Sequence, residues 1–459
     1  MIGSMQLQPL LPLLGAELKG PDVMFSGVST DSRRLVSGDL YVALRGERFD
    51  GHEFIADASR DGASAALVEY FVDCEISQLR VPDSRKALGQ IAVLNRQRSP
   101  ARRFALTGSQ GKTTVKEICA RIMGLHNHVL VTRGNLNNDI GVPLMLLELD
   151  RDHSLAVFEL GANAAGEIAW TVELVAPEIV LINNAAETHL EGFGSLEGVV
   201  QAKGEIIDGV IGDGVVVLNA DDPAVDSWTH RAGKRRVVTF STEVGADSEY
   251  SVRVLGRNAL GSRIELLTPE GERPVDLPLP GTHNIANALA ATALCMEAGI
   301  SLDDVCEGIQ RMEAVPGRLA QRKGLAGSVL LDDSYNASPS SFRAAIEVLV
   351  SLARERDAIP VLVTGNMAEL GDRSAELHRQ LGRDAENGGV AQLWACGRHA
   401  EDVVAGLGID AMAFPDRESL IRHAQAQLSA KIVLLVKGSR SAGMQDVVSA
   451  LSNGASDQC

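Results

Sequence analysis

Apolar and polar positions along this 459-residue chain follow two rhythms, period two and period 3.6, and the changes between them divide it into three blocks. The first, residues 1–83, sets short apolar runs, DLYVALRG and AALVE, around the helix-spaced stretch EFIADASRDGA. That pattern predicts a small α/β unit. VPDSRKALGQIAVLNRQRSP (81–100) then reads as a linking helix closed by Ser-Pro. In the second block, residues 84–314, the runs FALTG, LAVFELG, EIVLINN and VVVLNADD recur at intervals that suit parallel strands with helical crossovers. Between about 235 and 280 the alternation is broken by turn residues (RRVVTF, EYSVRV, SRIELLTPEGERPVDLPL), which predicts an antiparallel excursion. A helix rich in Ala and Leu after GTHN (281–284) reads as buried. The third block, 315–459, repeats strand, turn and helix in SVLLDDSYNASPSSFRAAIEVL, PVLVTGNMAELG, AQLWACGRHAEDVV and KIVLLVKGSRSAGMQDVV. It is Rossmann-like in pattern but has no G-x-G-x-x-G, so no dinucleotide cofactor is indicated.

Composition narrows the class. Apolar residues make up 45% and charged residues 22%, the mixture of a soluble globular protein. A net charge of −17 argues against a nucleic-acid partner, although local cations can still collect an anionic substrate. The six cysteines (Cys74, Cys119, Cys295, Cys306, Cys396, Cys459) form no C-x-x-C pair, which suits a reducing compartment and neither a disulfide framework nor a structural zinc site. No run approaches the roughly 20 apolar residues that span a bilayer. The short apolar stretch PLLPLLGA near the N-terminus carries two prolines and no basic flank, so it does not read as a signal peptide. The expectation is a cytoplasmic protein without stable membrane insertion.

Candidate chemistry begins at residues 107–117, TGSQGKTTVKE. Gly108, Ser109, Gln110, Gly111, Lys112, Thr113 and Thr114 follow the apolar run RRFAL. Beyond them Val115, Ile118, Cys119, Ile122 and Met123 recur at helical spacing. A strand, a glycine turn and a helix start bring backbone N–H groups and the positive end of a helix dipole around a phosphate. Lys112 can reach β- and γ-phosphates, and the Thr113 hydroxyl can ligate Mg²⁺. The full G-x-x-x-x-G-K-[ST] pattern wants glycine where this chain has Leu106, and a glycine turn capping a core helix is the ordinary alternative. Glu159 ends the run SLAVFEL, where an acid beside a phosphate loop holds Mg²⁺ directly or through water; a solvated strand end is the alternative. His189, in NNAAETHLEGFGS, follows a strand on the same edge, which favours metal binding over the structural role usual for a lone histidine. Lys203, in QAKGEI, is by default a lysine on a solvated face. Asn284 and Asn287 stand at a helix start, where they either cap the helix or offer an amide to an adenine edge. Arg318, Asp333 and Asn336 lie in turns beside strands of the third block, with surface loops as the ordinary alternative.

The joint occurrence of these features in order weighs more than any one of them. TGSQGKTT, FELGAN, NNAAETHLEGFGS, QAKGEI, VLNADDP, GTHNIANALAA, PGR and DDSYNASP together resemble the Mur ligases, ATP-dependent amide-bond ligases of peptidoglycan precursor synthesis. GVSTDSRRLVSGDLYVALRGERFDGHEF, GNLNNDIGVPL, VTGNMAELG and VKGSRSAGM resemble the dipeptide-adding branch, so the likeness runs from about Gly27 to Gly443. The family's loop commonly takes the shorter form T-G-x-x-G-K-[ST], which accounts for Leu106.

The resemblance implies an α/β protein of three domains. These are a UDP-sugar-binding N-terminal domain (1–83), a central ATPase-like domain with a mostly parallel sheet (84–314), and a C-terminal Rossmann-like domain (315–459) that binds the incoming dipeptide. It implies ATP and Mg²⁺, with Lys112 and Thr113 on the phosphates and one metal, Glu159 on that metal and His189 on a second. Lys203 matches a lysine that can be carbamylated. Asn284 and Asn287 would face the adenine. Arg318 and Asp333 would reach the γ-phosphate and the ribose, with Asn336 in the same turn. Ser32, Arg33 and Gly46 lie in segments that resemble a UDP-sugar pocket, and Asn135, Asn137 and Asn138 lie where the family approaches the sugar-peptide. The implied substrates are UDP-N-acetylmuramoyl-tripeptide and D-alanyl-D-alanine, joined through an acyl phosphate by a monomer. Rival readings are an earlier stem-peptide ligase, a folylpolyglutamate synthase-like ligase, or a nucleotide-dependent switch. No N-K-x-D guanine motif supports the last.

Overall fold

A computed structural model describes residues 1–46, 49–186, 190–243 and 245–453. Three large sheets follow one another along the chain, with a two-stranded pairing of Met5–Gln6 and Met24–Phe25 beside the first. The first runs, in spatial order, Glu17–Lys19, Ser77–Arg80, Ala65–Val68, Asp39–Val42 and Gly27–Ser29, parallel except at the Glu17–Lys19 edge. Its strands Asp39–Val42 and Ala65–Val68 are buried on both faces because both are covered. Leu40, Val42 and Leu67 point into one core, while Tyr41, Ala66 and Val68 pack on Ile55 and Ala58 of the helix Ile55–Arg60.

The central sheet has nine strands, and the strand Arg102–Thr107 lies inside it between Leu155–Glu159 and Ile179–Ile182. The chain leaves this strand toward one side of the sheet and later returns on the other, which opens a crevice at its carboxyl end. Val115, Ile118, Cys119 and Ile122 of the helix Lys112–Met123 are buried against one face of the sheet, as their spacing predicts. They share that core with Ala288, Leu289 and Leu294 of the buried helix His283–Glu297. The other face shares a continuous core with the first unit, in which Leu7, Leu40, Leu88 and Ile91 join Phe158, Val180 and Val216.

The helix Ser84–Arg98 therefore does more than link. Asp83 caps it, accepting from the backbone of Arg85 and Lys86, and its inner face is part of that shared core. Asn95 is fully buried there. Its Oδ1 accepts from the Ile2 backbone N–H at 2.6 Å, and its Nδ2 donates to the carbonyls of Leu146 and Leu149 at 2.9 and 3.0 Å. Asn95→Ala strands these groups without water, and urea unfolding is expected to show a loss of about 2–3 kcal/mol. An unchanged midpoint would mean that the carbonyls find other donors.

One sequence expectation needs correction. RRVVTF belongs to the parallel part of the sheet: Arg236–Ser241 pairs parallel with Val215–Asn219. Antiparallel pairing begins only from Tyr250–Asn258 to Gly261–Thr268 and on to Gly271–Leu277. The helix Val225–Ala232 returns the chain to the same direction, and side-chain alternation is identical in either sense of pairing.

The third sheet runs Ala320–Lys323, Val329–Asp333, Ile432–Lys437, Ile359–Thr364, Gln392–Cys396 and Asp410–Phe414, parallel except for its first strand. Helices Pro339–Glu355 and Ser374–Gly388 cover one face, Arg417–Gln427 and Met444–Leu451 the other, each over its own core. A capping box at Ser338 and Ser341, with Pro339 in the first turn, starts the helix directly after DDSYNA and fixes that loop. The third unit meets the central one at a hairpin tip, where Ala259 enters the third unit's core and its N–H donates to Glu355 at 2.8 Å. Among the described residues no helix is long and apolar enough to cross a membrane.

Candidate active site

The carboxyl ends of the central and third sheets face a shared cleft of about 740 Å³. The phosphate loop forms its floor. Gly111 sits at φ +77° immediately before the helix Lys112–Met123, and a Cβ there would come within 2.2 Å of Asn287 Oδ1 and 2.5 Å of Asn183 Nδ2. Only glycine meets both demands. Lys112 folds back so that its Nζ donates to the Gly108 carbonyl at 2.6 Å. Burial holds the ammonium below the usual lysine value, Arg318 adds repulsion, and Glu159 offsets part of both.

Glu159 is 2% exposed, and neutral donors occupy both of its oxygens: Thr113 Oγ1 at 2.9 Å and Asn137 Nδ2 at 2.8 Å. It has no cationic partner within ion-pair distance among the described residues. A buried carboxylate beside a hydroxyl, with no cation at ion-pair distance among the described residues, suits a small divalent cation with oxygen ligands. Arg318 crosses from the third unit to donate its Nη2 to Thr113 Oγ1 at 2.8 Å, and its guanidinium lies 4.5 Å from the centre of the Tyr335 ring. Gln110 likewise bonds the Ser340 hydroxyl of the third unit.

Asn284 and Asn287 line the cleft but do not cap their helix. Asn284 Nδ2 donates to the Pro280 carbonyl at 2.7 Å, Asn287 Nδ2 to Asn284 Oδ1 at 3.0 Å, and Asn287 Oδ1 accepts from Asn183 at 3.0 Å. Asp333 accepts from the buried Lys437 Nζ at 2.5 Å and from the Leu319 N–H at 3.2 Å, while the Asn336 carbonyl accepts from Lys437 at 3.0 Å. Ser109, Thr114 and Asn138 also line the cleft.

Lys203 is not on a solvated face. It is 1% exposed, its Nζ stands 5.7 Å from the centre of the Phe193 ring, and no hydrogen bond to it occurs among the described residues. Burial, then repulsion from Lys112, lower its pKa to about 7, against the pull of Glu205, Glu167 and Glu159.

Other candidates stand apart from this cleft. Ser32 and Arg33 form a short turn on the first unit, where the Arg33 guanidinium pairs with Asp31 at 2.8 Å and holds that carboxyl down to about 2. Gly46 and Asn135 are likewise not among the cleft-lining residues. His189 lies outside the described residues.

Several lining groups carried no assigned role from sequence. Asn184 Oδ1 accepts from the Gln110 N–H at 2.8 Å, Asn183 Nδ2 donates to the Gln110 carbonyl at 3.0 Å, and Asn219 Nδ2 donates to the Asn183 carbonyl at 3.0 Å. These asparagines shape the loop. Their only signal is that each follows an apolar strand, in EIVLINN and VVVLN. Lys437 has the same signature, a polar residue ending KIVLLVK.

A glycine-rich phosphate loop, a buried carboxylate beside its threonine, and an arginine delivered from another α/β unit define a class: enzymes that handle nucleotide phosphates between two domains. Comparison with known proteins narrows it. Residues 24–96 match the family description "Mur ligase family, catalytic domain", residues 106–295 "Mur ligase middle domain" and residues 311–440 "Mur ligase, glutamate ligase domain". The chain belongs to the Mur ligase family. It is 46% identical to the UDP-N-acetylmuramoyl-tripeptide–D-alanyl-D-alanine ligase of Escherichia coli (strain K12), over 98% of both chains. A crystal structure of MurF from Acinetobacter baumannii superposes with a TM-score of 0.90 at 36% identity, covering 98% of each chain. A MurF ligase from Thermotoga maritima, in complex with ADP, gives a TM-score of 0.80 at 27% identity, covering 92% of this chain and 96% of that one.

Proposed function

We propose that this Mur ligase joins D-alanyl-D-alanine to UDP-N-acetylmuramoyl-tripeptide with the conversion of ATP to ADP and phosphate, supplying a peptidoglycan precursor. The contact from Arg318 to Thr113 carries the reading, because it brings an arginine of the third unit to the loop where a transferred phosphoryl group would sit. The full-length likeness to relatives named for this reaction supports the choice of substrates.

The chemistry follows from charge. A carboxylate is a poor electrophile, and moving the γ-phosphoryl group onto it makes an acyl phosphate with a good leaving group. An amine then attacks and phosphate departs. The first step brings two anions together, so Lys112 and Arg318 offset the repulsion at the transferring group. Thr113 and Glu159 would hold Mg²⁺, which supplies further positive charge against the phosphates when bound. His189 is the candidate for a second metal. Asn284 and Asn287 form the wall proposed to face the adenine, and Asp333, oriented by Lys437, faces the ribose with Asn336 beside it. Ser32, Arg33 and Gly46 are proposed for the UDP-sugar, and Asn135, Asn137 and Asn138 for the peptide end. Asn137 would act in part through its bond to Glu159. The first unit, up to about residue 83, would hold the UDP-sugar, and the unit from about 315 the dipeptide. The protein is proposed to work as a cytoplasmic monomer.

Phosphate release from ATP, with mass spectrometry of the product, tests the activity. The expected result is release that depends on both substrates and a product heavier by the dipeptide less one water. Release indifferent to the dipeptide would sink the reading.

Lys203 is poised for carbamylation, because an amine with a pKa near 7 is substantially neutral at physiological pH and can attack CO₂. The carbamate would place a carboxylate-like group where the ammonium has no hydrogen bond among the described residues. The neutral fraction is lost as pH falls through 7, so a ¹³C carbamate resonance in ¹³C-bicarbonate is expected at pH 8 and not at pH 6. Its persistence in Lys203→Arg would assign it to another amine.

A further inference from the structure

Four lysine and arginine side chains line the cleft among the described residues, and three have partners there. Lys112 bonds the Gly108 carbonyl, Arg318 the Thr113 hydroxyl and Lys437 the Asp333 carboxylate. Arg440 is the fourth. Its guanidinium makes no hydrogen bond or ion pair among the described residues, and its central carbon is 5.8 Å from the centre of the Tyr335 ring. Arg440 is exposed, but it stands on a fixed turn at the edge of an anion-handling cleft, where a cation without a counter-charge can collect an anion.

The turn is fixed by its neighbours. It follows the strand Ile432–Lys437, and Ser439 N–H donates to the Asn366 carbonyl at 2.9 Å while Gly365 N–H donates to the Lys437 carbonyl at 2.9 Å. A Cβ on Gly365 would come within 2.8 Å of the Ala442 Cβ, and one on Gly438 within 2.7 Å of Met444 Cγ, so the two loops are in close packing.

We propose that Arg440 receives the C-terminal carboxylate of the incoming D-alanyl-D-alanine. The inference rests on the ligase reading above and adds the acceptor's anchoring point. The dipeptide has two unlike ends. Its amine must reach the acyl carbon near Lys112 and Arg318, and its carboxylate, taken out of water, needs a cation with matching geometry. A guanidinium offers the two parallel N–H groups that a carboxylate accepts. The spacing agrees. Arg318 and Arg440 stand 4.5 and 5.8 Å from the centre of the same ring, so their guanidinium carbons are no farther apart than those lengths laid end to end, about 10 Å. An extended dipeptide spans about 7 Å. A dipeptide held at Arg440 by its carboxylate can thus present its amine toward the phosphoryl site, with the Tyr335 ring 5.8 Å from the guanidinium.

The test measures kcat/KM of the full-length enzyme for D-alanyl-D-alanine and for D-alanyl-D-alaninamide, which keeps the amine but has no C-terminal charge. Wild type, Arg440→Met and Arg440→Lys are compared, each checked for an unchanged melting curve. The wild type is expected to favour the acid by about 10- to 100-fold, the range of a charge-assisted pair. In Arg440→Met that ratio falls to about one, through KM for the dipeptide and with KM for ATP unmoved, and Arg440→Lys lies between. An acid preference retained in Arg440→Met overturns the proposal, as does a rise in KM for ATP in its place, which would assign Arg440 to the nucleotide. A wild-type enzyme that uses neither dipeptide overturns both this and the ligase reading, whereas turnover with an unaltered ratio overturns this one alone.

Discussion

Lys112→Met is expected to lower kcat by about 10²- to 10³-fold while leaving the protein folded. The ammonium is held below its usual pKa by burial and by Arg318, so the charged form is disfavoured in the folded state relative to water. A neutral side chain of similar length therefore costs little stability. What it removes is the cation nearest the phosphate loop, at the step that brings a carboxylate to a triphosphate. Single-turnover phosphate release and a thermal melt on the same sample check this. A melting temperature that drops by more than about 5 °C would show that Lys112 is structural, through its bond to Gly108. A kcat within a few-fold of wild type would remove Lys112 from the chemistry.

Glu159→Gln is expected to fall by about 10²-fold at ordinary Mg²⁺, and to need at least about ten times more Mg²⁺ for half its maximal rate. The carboxylate is buried, accepts from Thr113 and Asn137, and has no cation within ion-pair distance among the described residues. Gln keeps the volume and one acceptor oxygen but removes the charge that would hold the metal. A Mg²⁺ titration curve that does not move would show that Glu159 only orders the hydroxyl of Thr113.

Much of this arrangement is legible in the chain, where the features are local. The phosphate loop and the apolar face of the following helix sit within 17 residues, and the helix buries the five positions its spacing marks. Lys203 shows the limit of local reading, because QAKGEI gives no sign that the helix Leu196–Asp208 turns that lysine inward. Arg318 to Thr113 and Lys437 to Asp333 join residues 205 and 104 apart, and periodicity carries no such information. The edge strand Asp410–Phe414 was not anticipated, because DAMAF is short and lies half-exposed at the sheet margin, where little burial enforces a pattern. The direction of Arg236–Ser241 is hidden from the sequence for a different reason. Alternation specifies which face a side chain takes and leaves the sense of pairing open.

The way the cores are divided bears on how the molecule comes apart. The first unit and one face of the central sheet share a single apolar cluster, whereas the third unit is built on two clusters of its own and borrows only Ala259 from the hairpin tip. Heat should then melt the chain as two cooperative bodies: residues up to about 314 in one calorimetric transition and the remainder in another, with nucleotide raising both by tying Arg318 to the phosphate loop. Such a partition would leave Arg318, the arginine proposed to act at the γ-phosphate, on one body and the loop it contacts on the other, so that closing the two together would complete the site and exclude water.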